Sequence, residues 1–162
     1  MTERTAKALE AGAAAPAFSA VDDEGRTHRL ADYRGKAVVL YFYPKDDTPG
    51  CTTEACEFRD GAAAYRSKGA VVLGVSPDDA ASHKKFKAKF GLPFPLLADV
   101  DKKLCRAYGV WKQKSLYGRT YMGVERTTFV IGPDGRLKAV WRKVKPAGHA
   151  AEVLQAVQLR RA

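Results

Sequence analysis

Only three cysteines, Cys51, Cys56 and Cys105, occur among the 162 residues. So few, and an odd number, exclude the disulfide framework of a small secreted protein. Four residues separate the nearer pair, so the C-x-x-C of a disulfide reductase is missing. The usual zinc-finger spacing is missing too, and His28, His83 and His149 fall in separate elements, so no metal is expected. No apolar run approaches the ~18 residues needed to span a bilayer. The Ala-rich stretch 11–20 follows a mixed-charge start (Glu3, Arg4, Lys7, Glu10) and holds Gly12 and Pro16, unlike a secretory signal. No membrane association and a cytoplasmic location are therefore expected. Neither a repeat nor a low-complexity linker is present. A single domain over 1–162 is expected, with residues 1–12 loosely ordered and the chain up to about residue 15 only loosely held.

Acidic residues are also in short supply, 18 against 28 Lys and Arg, for a net charge of +10 and a pI near 9.6. That balance admits nucleic acid or another anionic partner. The cations are scattered, however. Lys84, Lys85, Lys87 and Lys89 surround Phe86 and Phe90 in the pattern of a helix with a wet face, and the later run Arg142, Lys143, Lys145 is short. No interleaved basic and aromatic module is recognisable, so nucleic acid is not expected as a partner. The composition, 46% hydrophobic and 28% charged, suits a folded globular chain.

What is present is an alternation of strands and helices. Ala17 to Val21 and Thr27 to Leu30 flank Asp22-Asp23-Glu24-Gly25 as an N-terminal β-hairpin. Ala37 to Tyr43 (AVVLYFY) and Ala70 to Ser76 (AVVLGVS) are near-continuous apolar runs, as in strands buried on both faces. Between them a helix is expected from Pro49 or Gly50 to about Ser67, with Thr48 as its cap and Pro49 in its first turn. Asp78 or Asp79 starts a further helix that Gly91 closes. A short strand follows at 94–98, then a short helix at 101–108. Thr127 to Ile131 and Leu137 to Val144 form a hairpin around Gly132-Pro133-Asp134-Gly135, and a helix at 148–159 ends the chain. Strand–helix–strand crossovers place parallel strands in the middle of the sheet. The expected class is α/β, a thioredoxin-like fold: a central mixed β-sheet flanked by helices, with an N-terminal β-hairpin.

The informative segment is Pro44-Lys45-Asp46-Asp47-Thr48-Pro49-Gly50-Cys51-Thr52-Thr53-Glu54-Ala55-Cys56. Cys51 falls in the first turn of a helix leaving the C-terminal end of a buried strand, where open α/β sheets place their ligand sites. Free N–H groups and the helix dipole favour an anion there, and the thiolate is the form of cysteine that attacks. Cys56 lies five residues on. In an intact helix that is a rise of about 7.5 Å and a turn of about 140°, leaving the Cα atoms roughly 8.7 Å apart. A disulfide needs them within about 7 Å, so these two can pair only if the first turns unwind. Cys105, spaced with Leu104 and Tyr108 on a short helix, is expected to be a packing residue.

A strand ending in Pro, then three residues, Thr, two residues and Cys, resembles the peroxiredoxin active-site motif, filled here by Pro44, Thr48 and Cys51. A second cysteine five residues later resembles the bacterioferritin-comigratory-protein, or Q-type, branch. So do Ala15-Pro16-Ala17-Phe18, Tyr108-Gly109-Val110-Trp111, Tyr117-Gly118-Arg119-Thr120-Tyr121-Met122-Gly123, Arg126-Thr127-Thr128-Phe129-Val130-Ile131 and the stretch 145–149. The resemblance covers about residues 12–160. It implies a thiol peroxidase of antioxidant defence with Cys51 as the peroxidatic and Cys56 as the resolving cysteine. Thr48 would hydrogen-bond the peroxide, Pro44 would shield the site from water, and Arg126 would face the thiolate. It further implies hydroperoxide substrates, a thioredoxin-like dithiol reductant, a monomer, and no cofactor.

Overall fold

The computed structural model describes residues 9–158. The five-stranded sheet is built from β3 (Ala37–Phe42), β4 (Ala70–Ser76), β5 (Leu96–Ala98), β8 (Thr127–Ile131) and β9 (Leu137–Trp141), in the order β5-β4-β3-β8-β9. β3, β4 and β5 run parallel, whereas β8 is antiparallel to β3 and to β9. The expected mixed sheet is therefore present, with β3 in the middle and buried almost throughout. β1 (Ser19–Val21) and β2 (Thr27–Arg29) pair as the N-terminal hairpin.

Alternation along β3 divides the core. Val39, Tyr41 and Tyr43 face one layer with Phe58, Tyr65, Phe86, Val153 and Val157. These come from α1 (Pro49–Asp60), α2 (Ala62–Ser67), α3 (Ala80–Phe90) and α5 (His149–Gln158). Val38, Leu40 and Phe42 face the other layer with Leu104 and Cys105 of α4 (Lys103–Ala107) and Val124. Cys105 is fully buried there, as its packing pattern predicts. Tyr41 stacks on Phe58 with ring centroids 4.7 Å apart, which pins α1 to the sheet.

Three expectations need correction. The helix foreseen from 49 to about 67 is two helices broken at Gly61, whose N–H turns back to Arg59 and Glu57 carbonyls. The stretch 111–124, assigned no regular structure from the sequence, is a hairpin of β6 (Trp111–Leu116) and β7 (Arg119–Val124). Its turn residues Tyr117 and Gly118 both have positive φ, 52° and 78°, as a two-residue hairpin turn demands. Finally, residues 9–15 are tied down rather than loose. Gly12 N–H donates to the Leu137 carbonyl, Leu137 N–H to that of Ala13, and Ala15 N–H to that of Gly135. The rest of that expectation, residues 1–8, lies outside the described residues. Of the α3 lysines, Lys84, Lys85 and Lys89 form the expected wet face opposite buried His83 and Phe86, whereas Lys87 is half-buried and pairs with the buried Asp23.

Candidate active site around Cys51

α1 starts where the β3 run ends. Pro49 occupies its first turn, where a missing N–H costs nothing, and Thr48 is the cap residue in extended conformation. The sequence suggests Thr48 as the cap, but its hydroxyl makes no capping bond; it donates to the Lys45 carbonyl at 2.9 Å and closes the loop instead. The first helical bond runs from Thr52 N–H to the Thr48 carbonyl. Cys51, Glu54, Ala55 and Phe58 form the buried stripe of α1, the i, i+3, i+4, i+7 pattern of a helix laid on a sheet. Cys56 lies off that stripe and is half-buried. Both cysteines are free thiols on an unbroken helix.

The antiparallel pairing of β8 with β3 sets Thr127 beside Phe42 and Thr128 beside Tyr41. The start of β8 thus sits at the end of β3 from which α1 departs. Arg126, just before β8, is delivered to that spot, and its carbonyl is held by the Val144 N–H at 3.0 Å. The Arg126 Nη2 lies 3.3 Å from the Cys51 Sγ. Its Nη1 donates to Glu54 Oε1 at 2.7 Å. One guanidinium therefore spans the sulfur and a fully buried carboxyl one helical turn away.

Glu54 is the unusual member. Burial pushes its carboxyl up, and although Arg126 pulls it back, it comes to rest at about 7. Its Oε2 has no hydrogen-bond partner among the described residues. Arg126 moves the other way from what its own burial dictates, held above its usual value by Glu54 and Cys51. A permanent cation with fixed donors, 3.3 Å from sulfur, stabilises a thiolate and any oxygen departing beside it.

Gly50 makes the close approach possible. A Cβ there would stand 3.1 Å from Arg126 Nη2 and 3.4 Å from Pro146 Cγ. The segment following β9 thus forms a wall of the site. It is tied to α1 by the Gly148 N–H, which donates to Glu57 Oε1 at 2.9 Å. His149, fully buried behind it, bonds Thr128 Oγ1 through Nε2 and Glu152 through Nδ1. Burial holds its imidazole below the usual value.

The profile of the AhpC/TSA family matches residues 11–140. Peroxiredoxin Bcp of Bacillus subtilis (strain 168) is 53% identical over 150 residues, 93% of this chain and 96% of the relative. The chain belongs to the peroxiredoxin family. Peroxiredoxin Bcp of Escherichia coli K12 is 42% identical to it over 146 residues, 90% of this chain and 94% of the relative. Among solved structures, a mutant of Xylella fastidiosa PrxQ superposes with a TM-score of 0.89 at 40% identity, over 94% of this chain and 98% of that one. The Xanthomonas campestris bacterioferritin comigratory protein, described with its alkyl peroxide reduction activity, superposes at 0.86 with 43% identity, covering 92% and 98%.

Within this peroxiredoxin, Cys51 and Arg126, singled out from sequence, are in contact. Thr48 immediately precedes the same helix and Pro44 follows β3 at the other end of the loop; both are half-buried. Cys56 is not in contact with Cys51, in keeping with the helical separation of roughly 8.7 Å. Sequence reasoning overlooked Glu54 and Gly50. An acidic residue inside the buried stripe Cys51-x-x-Glu54-Ala55-x-x-Phe58 was the available signal, because a carboxyl placed there requires a cation nearby. Cys105 lies on the opposite face of the sheet. Burial, and then the Asp99 carboxylate, push its thiol well above the ordinary range, which makes it a poor nucleophile.

Proposed function

We propose that this peroxiredoxin is a thiol peroxidase in which the Cys51 thiolate attacks one oxygen of a hydroperoxide. An S–O bond forms, the O–O bond breaks, and the departing oxygen takes up a proton to leave as water or alcohol. Cys51 is left as a sulfenic acid. Arg126 stabilises the thiolate and the charge that develops on the departing oxygen, Thr48 orients the peroxide through its hydroxyl, and Pro44 keeps water from the sulfur. The first turns of α1 then unwind. The Cys56 thiol displaces the sulfenic hydroxyl as water and forms the Cys51–Cys56 disulfide. A thioredoxin-like dithiol returns both thiols by exchange.

The observation that carries this reading is the 3.3 Å contact of Arg126 with Cys51 at the start of a helix. Organic as well as hydrogen peroxide fits as substrate, given the activity described for the Xanthomonas campestris relative. The cycle needs one domain over 1–162, one chain and a reducing environment, which suits a cytoplasmic monomer. Among the described residues, no helix is long and apolar enough to cross a membrane.

The test is peroxide consumption coupled to thioredoxin, thioredoxin reductase and NADPH, with the parent and Cys51→Ser compared. Rapid turnover in the parent and none in the variant is the expected result. Equal, slow rates in both would remove Cys51 from the mechanism.

A further inference from the structure

The loop from Lys45 to Thr48 carries the chain from β3 into α1, and Asp46 is its buried residue. An ionised carboxyl out of water must be paired and hydrogen-bonded. Asp46 Oδ1 accepts from the Tyr43 hydroxyl at 2.6 Å, and Oδ2 accepts from the Ser82 hydroxyl at 2.7 Å. His83 Nδ1 stands 2.7 Å from the same Oδ2. The Asp46 N–H donates to Asp78 Oδ2 at 2.8 Å, and that oxygen is held by the Ser76 hydroxyl at 2.7 Å. The ends of β3 and β4 and the start of α3 thus converge on one loop residue.

His83 has no exposure at all. Its Nε2 lies 2.9 Å from the Leu97 carbonyl oxygen, which can only accept, so Nε2 carries a hydrogen. Its Nδ1 faces a carboxylate oxygen, which also only accepts. With Asp46 ionised, both ring nitrogens are donors and the ring is an imidazolium. Asp46, Asp78 and His83 bring potential metal-ligand atoms within 4.8 Å of one another, but both His83 nitrogens are already engaged by protein oxygens.

The loop needs such an anchor. Asp47 has φ of 60°, a left-handed conformation that a non-glycine residue keeps only when its surroundings enforce it. α3 holds it three times, through Ser82 and His83 on Asp46 and through Lys89 Nζ on Asp47 at 2.9 Å. Downstream hang the Thr48 carbonyl, which starts α1, and Cys51 itself.

We propose that His83 is a positioning residue for the peroxide step: held between the Leu97 carbonyl and Asp46, it fixes the Lys45–Thr48 loop and hence Thr48 and the turn bearing Cys51. This rests on the function proposed above. The groups that face the ring are Asp46 and Tyr43 from the β3 side, Asp78 from the β4–α3 side, and the Leu97 carbonyl of β5. Burial alone would push the imidazole down, but the Asp46 hydrogen bond and charge outweigh it and hold it above its ordinary 6.5. The anchor is therefore complete below that ordinary value and is lost as pH rises through the higher folded-state value. Beyond it, a bare Nδ1 lone pair faces a carboxylate oxygen across 2.7 Å. A thiolate nucleophile gains from rising pH, but the Glu54 carboxyl beside Arg126 also titrates at about 7, so the signature of the anchor is an alkaline fall in rate that the parent shows and that variants of His83 and Asp46, which keep Glu54, do not.

The experiment is single-turnover oxidation of the reduced protein by hydrogen peroxide, followed from neutral to alkaline pH, for the parent, His83→Gln, Asp46→Asn and Cys51→Ser. The parent rate should fall about tenfold on the alkaline side. His83→Gln should be about 10- to 100-fold slower at neutral pH, the cost of a misplaced reacting group, and show no alkaline fall. In Asp46→Asn the amide can donate to a neutral Nδ1 while Nε2 keeps Leu97. That variant should be slowed less than His83→Gln and should also lose the fall, which keeps the test decisive if His83→Gln does not fold. A parent without the alkaline fall, or an Asp46→Asn protein that retains it, overturns the proposal. If Cys51→Ser oxidises at the parent's rate, the peroxidase reading itself fails; if Cys51→Ser is inert, those results sink the role of His83 alone.

Discussion

Replacing Glu54 by Gln removes a buried carboxyl while keeping its shape and its acceptor toward Arg126. The parent carboxyl rests at about 7 in the folded protein against an ordinary 4.5. Its folded value is raised, so the stabilisation linked to its proton is complete below 4.5 and is lost as pH climbs through about 7. At about 1.4 kcal/mol per pH unit, that gap amounts to about 3 kcal/mol. The group is fully buried, so little of this is screened by solvent. The assay is guanidinium unfolding of the reduced parent and of Glu54→Gln at a series of pH values from about 4 to about 8. Other titrating groups cancel in the difference between the two proteins. The parent should lose about 3 kcal/mol relative to the variant across that range, with unchanged m-values. Parallel stability curves would refute a raised Glu54 and would mean that Arg126 compensates its burial in full.

Three further outcomes are expected. Cys56→Ser should complete one turnover with peroxide at the parent's rate and then stall as a sulfenic acid detectable by dimedone labelling and mass spectrometry; sustained thioredoxin-linked cycling would remove Cys56 as the resolving thiol. Gly50→Ala places a Cβ 3.1 Å from Arg126 Nη2, so the guanidinium must shift. Peroxide turnover should drop about tenfold while thermal stability holds or rises, since alanine is favoured over glycine within a helix by up to about 1 kcal/mol. Cys105 should escape a thiol reagent at about pH 8 in the native reduced protein and react only on unfolding, because burial and Asp99 keep it protonated.

Much of this was legible from local pattern. The AVVLYFY and AVVLGVS runs announce the two buried strands because both faces of β3 and β4 are covered by other elements. Asp79 and Gly91 mark α3 because a cap and a left-handed stop are local chemistry: the Asp79 carboxylate accepts from the Ser82 N–H, and Gly91 takes φ of 61°. The β6–β7 hairpin escaped notice because Lys112, Gln113, Ser115 and most of β7 face solvent, so no apolar alternation betrays it. The break at Gly61 was hidden by the helix-favouring alanines 62–64 that resume after it. Pairings across long stretches of chain are not written in any window. Arg126 meets Cys51 across 75 residues, and His83 meets Asp46 across 37.

Those distant contacts also explain how one short helix can serve two opposed requirements. For the peroxide step, α1 must hold Cys51 against Arg126, and the stripe of Cys51, Glu54, Ala55 and Phe58 presses it onto the sheet. For the disulfide step proposed above, the same helix must release Cys51 toward Cys56, which five helical residues keep roughly 8.7 Å away. Apolar burial is concentrated at the far end of the stripe, where Phe58 stacks on Tyr41 and touches Tyr65. Near Cys51 the contacts are polar: Arg126 with Glu54, and the loop bonds of Asp46 and Thr48. In the proposed cycle the first turns open while Phe58, stacked on Tyr41, keeps the rest of α1 in place. In that cycle the cost of unwinding falls on the polar contacts that Arg126 makes with Cys51 and Glu54.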